Sequence, residues 1–167
     1  MATKNNNLSN VGELPSAEGM RFGIVVAEWN SEITFALMEG AKATFIAAGA
    51  KEEDIVVSYV PGAFELPLGA KYQLKYSNVD AVVVLGCVIQ GDTRHFDYIC
   101  DGTTQGVMDL MLHDKRPIGF GLLTVNDMQQ ALDRCGGVHG NKGDEAAATV
   151  LKMVHLRQTL IDSQIEK

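Results

Sequence analysis

Short apolar runs alternate with longer mixed segments along this chain of 167 residues, beginning at about residue 21. Four of these runs are rich in β-branched residues and too short for helices, so they predict strands. They span residues 21–27, 54–60, 81–88 and 118–123. The third run is apolar almost throughout, which is typical of a strand that is covered on both faces of its sheet.

The segments after these runs carry apolar residues at helical spacing. The first has Ile33, Leu37, Ala41, Phe45 and Ala48 on one face and is predicted to end near Gly49. A second helix is predicted to begin at about Pro67, because proline fits the first turn of a helix, and to run to about residue 76. Further helices are predicted over about 93–113, in a short segment after a cap at 126–127 that ends near 136–137, and from 141 or 143 onward. The last helix has Ala147, Val150, Val154, Ile161 and Ile165 on its apolar face.

Strands that alternate with helices predict βαβ units and a parallel sheet. Four such strands with helices on both faces form an α/β fold, a flavodoxin-like three-layer sandwich with a four-stranded parallel sheet. We expect one domain over residues 21–167, preceded by a polar tail over 1–20 that is flexible alone and can order against a neighbouring subunit.

Composition narrows the class of protein. The net charge of −7, from 14 basic and 21 acidic residues, argues against generic nucleic-acid binding and against an anionic membrane surface. The chain shows neither a secretory signal nor the ~20 continuous apolar residues that a membrane span needs. Cys87, Cys100 and Cys135 form no CxxC pair, so neither a disulfide framework nor a zinc site is expected. We therefore expect a cytoplasmic protein.

Ligands of open parallel sheets bind beyond the carboxyl ends of the strands, and the distinctive residues of this chain collect there. They are Trp29 after the first strand, PGAFE at 61–65 after the second, GCVIQGDTRH at 86–95 after the third, and residues 124–126 after the fourth. The third of these is the central one, because the amides of a glycine-containing loop and of the next helix's first turn can hold an anion. His95 follows this loop and either transfers protons near neutral pH or serves only as a structural polar group.

Other candidates each allow two interpretations. Trp29 is either a packing residue or a stacking platform for a planar heterocycle. Arg134 either complements the dipole at a helix C-terminus or clamps a phosphate. Phe120 is either a core residue or, because Gly119 and Gly121 flank it, close to a ligand or another backbone.

Two more segments are open in the same way. Glu65 stands at a helix start, where a carboxylate is favoured anyway, and the amides of its neighbours Ala63 and Phe64 can contact a ligand. Lys142, in GNKG at 140–143, is either a solvated lysine beside a helix cap or part of a binding site.

Six motifs together resemble those of the lumazine synthase family. They are WN at 29–30, VPGAFELP at 60–67, LGCVIQGDTRHFDY at 85–98, GFGLLT at 119–124, QALDRCG at 130–136 and GNKG at 140–143. Their order and spacing agree with the family from about residue 20 to the end of the chain. The resemblance implies condensation of 5-amino-6-(D-ribitylamino)uracil with 3,4-dihydroxy-2-butanone 4-phosphate to 6,7-dimethyl-8-ribityllumazine, phosphate and water, with neither a metal nor a redox cofactor.

The resemblance also implies roles for individual positions. His95 corresponds to the proton-transfer residue, and Trp29 takes the place of an aromatic ring that stacks on the pyrimidine. Asp92, Thr93 and Arg134 correspond to the phosphate site, while Phe120 and Lys142 are implied to come from the adjacent subunit. The pyrimidine and ribityl site corresponds to Ala63, Phe64, Glu65, Cys87, Val88 and Ile89.

Two positions depart from the commoner family pattern. Trp29 replaces a more usual phenylalanine and keeps a stacking face. Asp92 stands where a small residue is frequent, so we expect its contact to be made by the backbone amide, with Arg94 offsetting its charge. The resemblance further implies a pentamer, and the short turn over 136–143, which has no insertion, favours twelve pentamers in a 60-subunit shell.

Three other functions remain open at this point. A lumazine or flavin carrier on the same fold would keep Trp29 without needing His95. A shell protein with a vestigial site would assemble without turnover, although the intact GDTRH segment and Arg134 speak against it. A flavodoxin-type electron carrier would bind FMN tightly.

Overall fold

Four parallel strands form the central sheet of the structure, a computed structural model that describes residues 12–165. They are β1 (Phe22–Ala27), β2 (Ile55–Val60), β3 (Ala81–Ile89) and β4 (Ile118–Val125), in the order β2-β1-β3-β4. Every pairing is parallel, and β3 pairs with β4 from Val82 opposite Ile118 to Ile89 opposite Val125. The predicted four-stranded parallel sheet is confirmed.

Helices cover both faces of this sheet. The structure contains α1 (Ser31–Ala47), α2 (Leu66–Tyr76), α3 (His95–Asp114), α4 (Met128–Leu132) and α5 (Lys142–Ile165). Residues that alternate along β1 point to opposite faces: Phe22 and Ile24 pack with α1 and α5, whereas Val25 packs with α2 and α3. Both faces are therefore apolar, which explains the continuous apolar runs in the sequence and confirms the three-layer α/β fold.

Element bounds agree with the prediction to within about two residues, except after β4. There the short helix ends at Leu132 rather than near residues 136–137, and two further strands, β5 (Cys135–Gly137) and β6 (Gly140–Asn141), form an antiparallel hairpin. This hairpin is not recognisable in the sequence, because its glycines indicate only turns. The hairpin lies between the end of α4 and the start of α5.

Part of the segment before residue 21 packs against the domain. Ala17 is buried and its N–H donates to the carbonyl of Ala48 at 2.8 Å, while Leu14 and Met20 pack against the core on the α1 side. The predicted flexible tail therefore needs correction over residues 14–20, because these apolar side chains attach it to the domain. The rest of that prediction, for residues 1–11, lies outside the described residues.

The far half of α5 also differs from the prediction. Ala147, Val150 and Val154 are buried as expected, but Ile161 is exposed, because the helix has run past the sheet that it covers. The side chain of Ile165 lies outside the described part of the chain. Across residues 12–165, no helix combines the length and the apolar character of a membrane span.

Candidate active site

The carboxyl ends of β1, β2 and β3 form one rim, and backbone hydrogen bonds continue beyond β1 and β2. The N–H of Glu28 donates to the carbonyl of Val60 at 2.8 Å, and that of Trp29 to the carbonyl of Pro61 at 3.1 Å. The loop that carries Trp29 therefore lies beside the PGAFE loop. This pairing brings together two of the segments that the sequence placed at strand ends.

Trp29 lies against Gly62. A Cβ atom added to Gly62 would stand 2.6 Å from Cε3 of the indole, so only glycine allows this approach. The φ of Gly62 is −148°, which any residue adopts, so the glycine serves the close contact rather than the backbone conformation. The tryptophan is still 68% exposed and can therefore offer a surface to a ligand.

Glu65 is engaged within its own loop. Its Oε2 accepts a hydrogen bond from the N–H of Gly62 at 3.1 Å, so the carboxylate holds the turn that lies against Trp29. Ala63 is buried, and its carbonyl accepts from Oγ1 of Thr103 at 3.1 Å. Phe64 is exposed, so among these three residues its ring is the one that faces outward.

The end of β3 presents mainly backbone at the rim. Cys87 is buried in the core on the α1 and α5 side, and its carbonyl accepts from Nδ2 of Asn30 at 2.9 Å. Burial, with a smaller effect from Cys135, raises the pKa of the Cys87 thiol to about 11, so this thiol is neutral at pH 7. Val88 and Ile89 are half-buried and lead into the exposed loop.

The loop after β3 is open to solvent. Asp92, Thr93, Arg94 and His95 are all exposed, and the N–H of His95 donates to Oγ1 of Thr93 at 3.4 Å. His95 is the first residue of α3, at the positive end of the helix dipole. The N–H groups of Asp97 and Tyr98 in the same turn donate to the carbonyl of Arg94 at 3.1 and 3.5 Å. Arg94 pairs with Asp97 at 3.7 Å, and the expectation that it also offsets the charge of Asp92 stays a prediction.

The remaining three predicted residues lie elsewhere. Phe120, Arg134 and Lys142 line one open cleft of about 690 Å³ between β4 and the first half of α5. Phe120 is exposed, and Nη1 of Arg134 donates to the carbonyl of Gln130 at 2.9 Å. The ammonium of Lys142 pairs with Glu145 at 2.5 Å, and the lysine side chain is 15% exposed.

The predicted site residues thus fall into two groups on one chain, which we call the rim and the cleft. The rim carries Trp29, Phe64, Asp92, Thr93 and His95, whereas the cleft carries the other group. Within residues 12–165, neither a hydrogen bond nor an ion pair joins the side chain of His95 to that of Arg134. The lining of the cleft includes Arg134 but neither Asp92 nor Thr93, so the phosphate site that combines these three residues stays a prediction.

Known proteins resemble this chain over nearly its whole length. The sequence profile of the 6,7-dimethyl-8-ribityllumazine synthase family matches residues 19–158. The chain belongs to this family. Proteins named 6,7-dimethyl-8-ribityllumazine synthase are 52% identical in Phocaeicola vulgatus, over 99% of each chain, and 55% identical in Parabacteroides distasonis, over 93% of this chain and 98% of the relative. The one from Cytophaga hutchinsonii is 50% identical over 96% of this chain and 100% of its own.

Membership of the lumazine synthase family confirms the resemblance that the motifs carried. Three residues that hold the rim could not be recognised as such in the sequence. Asn30 bonds to the carbonyl of Cys87, and Gly62 lies against Trp29. Thr103 bonds to the carbonyl of Ala63. Asn30 gave a partial signal, because it stands directly after Trp29. Its side chain bonds to β3 and makes no capping hydrogen bond with α1.

Proposed function

We propose that this chain condenses 5-amino-6-(D-ribitylamino)uracil with 3,4-dihydroxy-2-butanone 4-phosphate to give 6,7-dimethyl-8-ribityllumazine, phosphate and water. Family membership supports the reaction. The observation that carries the site is the exposed His95 at the first turn of α3, on the same rim as the tryptophan that lies against Gly62. A proton-transfer group, a place for an anion and an aromatic surface are the parts that this reaction needs.

The reaction forms an imine between an amine and a ketone, expels phosphate and closes a ring with loss of water. These steps gain chiefly from holding two reactants in the right orientation. His95 transfers protons, which contributes about 10²- to 10⁴-fold in such reactions. Trp29 stacks on the pyrimidine, and the amides of Asp92 and Thr93 hold the phosphate while the Asp92 carboxylate points away from it.

We propose that two protomers build each site. Phe120, Arg134 and Lys142 line one cleft, so a neighbour that contributes Phe120 to the rim of the next protomer contributes the other two as well. This extends the sequence-based assignment, which took only Phe120 and Lys142 from the adjacent subunit. Arg134 would then reach the phosphate from across the interface and complete a clamp that the Asp92–Thr93 loop begins.

Association is supported by exposed apolar side chains on the isolated chain. One open groove between α3 and α5 is lined by contiguous apolar side chains, in which Leu112 and Leu160 are each more than half exposed; the others are Met111, Met153, Leu156 and Ile161. A contiguous exposed apolar surface is typical of a place that a partner covers. We propose a pentamer of this chain, with twelve pentamers forming a 60-subunit shell, in the cytoplasm.

The deciding experiment is turnover of both substrates by the wild type and by His95→Ala. We expect the wild type to release phosphate and form the lumazine, followed by its absorbance and fluorescence. His95→Ala should turn over about 10²- to 10⁴-fold more slowly with unchanged affinity for the pyrimidine. His155→Ala, at an exposed position on α5, is the matched control and should behave as the wild type.

Other outcomes distinguish the remaining functions. Full turnover by His95→Ala would remove the imidazole from the mechanism. A wild type that binds the lumazine without forming it would be a carrier, and one that assembles without binding it would be a shell protein. Purification with tightly bound FMN would indicate an electron carrier.

A further inference from the structure

The β5–β6 hairpin connects the two cationic residues of the cleft. Arg134 stands one residue before β5, and Lys142 stands directly after β6. The N–H of Lys142 donates to the carbonyl of Arg134 at 2.9 Å, and the N–H of His139 donates to the carbonyl of Asp133 at 2.8 Å. Movement of this hairpin relative to the sheet would therefore carry both side chains with it.

One side chain attaches the hairpin to a distant helix. Nδ2 of Asn141 donates to the carbonyl of Ala36, inside α1, at 2.9 Å, although 105 residues separate them. The same Nδ2 lies 3.5 Å from the carbonyl of Cys135, and Oδ1 accepts from the N–H of Gly143 at 2.8 Å. A single amide thus joins α1, both strands of the hairpin and the first turn of α5.

Two glycines make room for this contact. A Cβ atom on Gly40, one turn after Ala36 in α1, would stand 2.5 Å from Nδ2 of Asn141 and would also overlap the carboxylate of Asp144. A Cβ atom on Gly143 would overlap the carbonyl oxygen of Leu37. Neither glycine has a positive φ, so both serve the close approach of α1 and α5 at Asn141.

We infer that Asn141 is a positioning residue for Arg134. Its amide holds the hairpin against α1 at the distance that Gly40 and Gly143 permit, and this fixes where the guanidinium points from the cleft. Arg134 uses one of its five N–H donors on Gln130, which orients the side chain but not the hairpin beneath it. The inference rests on the proposed function, in which Arg134 binds the phosphate of the ketone substrate.

The test compares how substitutions at Asn141 change the KM for each of the two substrates. A misplacement of about 1 Å can cost about 10²-fold in rate, so we expect a partial loss, about a ten-fold higher KM for the phosphorylated ketone, in Asn141→Ala. The KM for the pyrimidine, which is bound by the rim, should change less than two-fold. Asn141→Asp keeps the acceptor for Gly143 but loses the donor to Ala36, and should show the same split. It takes the place of the alanine variant if that one does not fold.

The double variant separates positioning from general loosening. In an Arg134→Ala background, Asn141→Ala should raise the KM for the ketone no further, because its effect passes through the guanidinium. Gln73→Ala is the matched control: the Gln73 amide donates to the carbonyl of Val56 at 3.1 Å and to Oγ of Ser58 at 2.7 Å, and neither of these is a predicted site residue. It should lower the melting temperature and leave both KM values unchanged.

Each negative result contradicts a different part of the proposal. If Arg134→Ala leaves the KM for the ketone unchanged, the proposed phosphate role of Arg134 is wrong. If Arg134→Ala raises it and folded Asn141 variants do not, only the positioning role is wrong. Equal increases in both KM values, or effects that multiply in the double variant, would make Asn141 an ordinary structural residue.

Discussion

At the level of single residues, the position of Trp29 depends on the missing side chain of Gly62. In Gly62→Ala the new methyl would overlap the indole, so the ring must move away from the rim. Stacking of a base on an aromatic ring is worth about 1–3 kcal/mol, and losing part of it should weaken pyrimidine binding about five- to ten-fold. Quenching of tryptophan emission by the bound pyrimidine measures this affinity, because Trp29 is the only tryptophan in the chain.

The emission of the ligand-free protein gives the control. Gly62→Ala should shift the emission maximum, whereas Gly91→Ala, at an exposed position with open space around it, should not. An unshifted maximum together with wild-type affinity in Gly62→Ala would mean that the glycine does not set the position of the ring.

The buried thiol of Cys87 leads us to expect that the folded protein loses stability at high pH. Burial raises the pKa of its thiol from 9.0 to about 11, so the folded chain holds this proton more tightly than the unfolded chain. The resulting stability is complete below pH 9 and is lost as the pH rises to about 11. A shift of this size corresponds to about 2–3 kcal/mol.

The measurement is urea unfolding at fixed protein concentration, compared between the wild type and Cys87→Ala. The difference in their free energies of unfolding should change by about 2–3 kcal/mol between pH 8 and pH 11, in the direction that favours the variant. Cys100→Ala removes a less buried thiol on α3 and should show a smaller change. Parallel curves for the wild type and Cys87→Ala would show that the thiol titrates normally.

At the level of elements, how well the sequence predicts a segment depends on how local its causes are. The strand β3 is recognisable because every residue from Ala81 to Leu85 is apolar and both faces are covered. The β5–β6 hairpin is not, because its place is set by the contact of Asn141 with Ala36 far along the chain. Like β3, the rim loops are recognisable from local pattern, because each one directly follows a predicted strand.

The short helix α4 should depend on its cap. Oδ1 of Asp127 accepts from the N–H of Gln130 at 2.8 Å, and Oε1 of Gln130 accepts in return from the N–H of Asn126 at 3.0 Å. A helix of five residues has little stability of its own, so Asp127→Ala should cost about 1 kcal/mol of unfolding free energy. Chemical denaturation measures this loss.

Asp109→Ala provides the comparison for that cap. Asp109 is exposed on α3, and its Oδ1 accepts a long hydrogen bond from Nε2 of Gln105 at 3.4 Å, so the variant should unfold within about 0.5 kcal/mol of the wild type. A cost at Asp127 no larger than at Asp109 would mean that packing alone holds α4. Because α4 leads into Arg134, the cap variant should also weaken binding of the phosphorylated ketone.

At the level of the whole molecule, the sequence does not show that the predicted site residues line two different surfaces of one chain. Motif order places His95 and Arg134 in one list of site residues, but it does not say which surface of the fold each one faces. The rim follows from the ends of β1 to β3, whereas the cleft depends on how the hairpin and α5 pack beside β4. Phe120 belongs to the cleft because it stands in the middle of β4, opposite Val84, rather than at the end of the strand.

A mixed assembly tests whether two protomers share each site. His95→Ala impairs only the rim and Arg134→Ala only the cleft, so each variant alone should be slow. If the rim of one protomer meets the cleft of the next around a ring, unfolding and refolding a 1:1 mixture should restore about a quarter of the sites to wild-type composition. Turnover by the mixture should then exceed that of either variant. A mixture that is no faster than its components, while its mass shows mixed rings, would place both residues of each working site on a single chain.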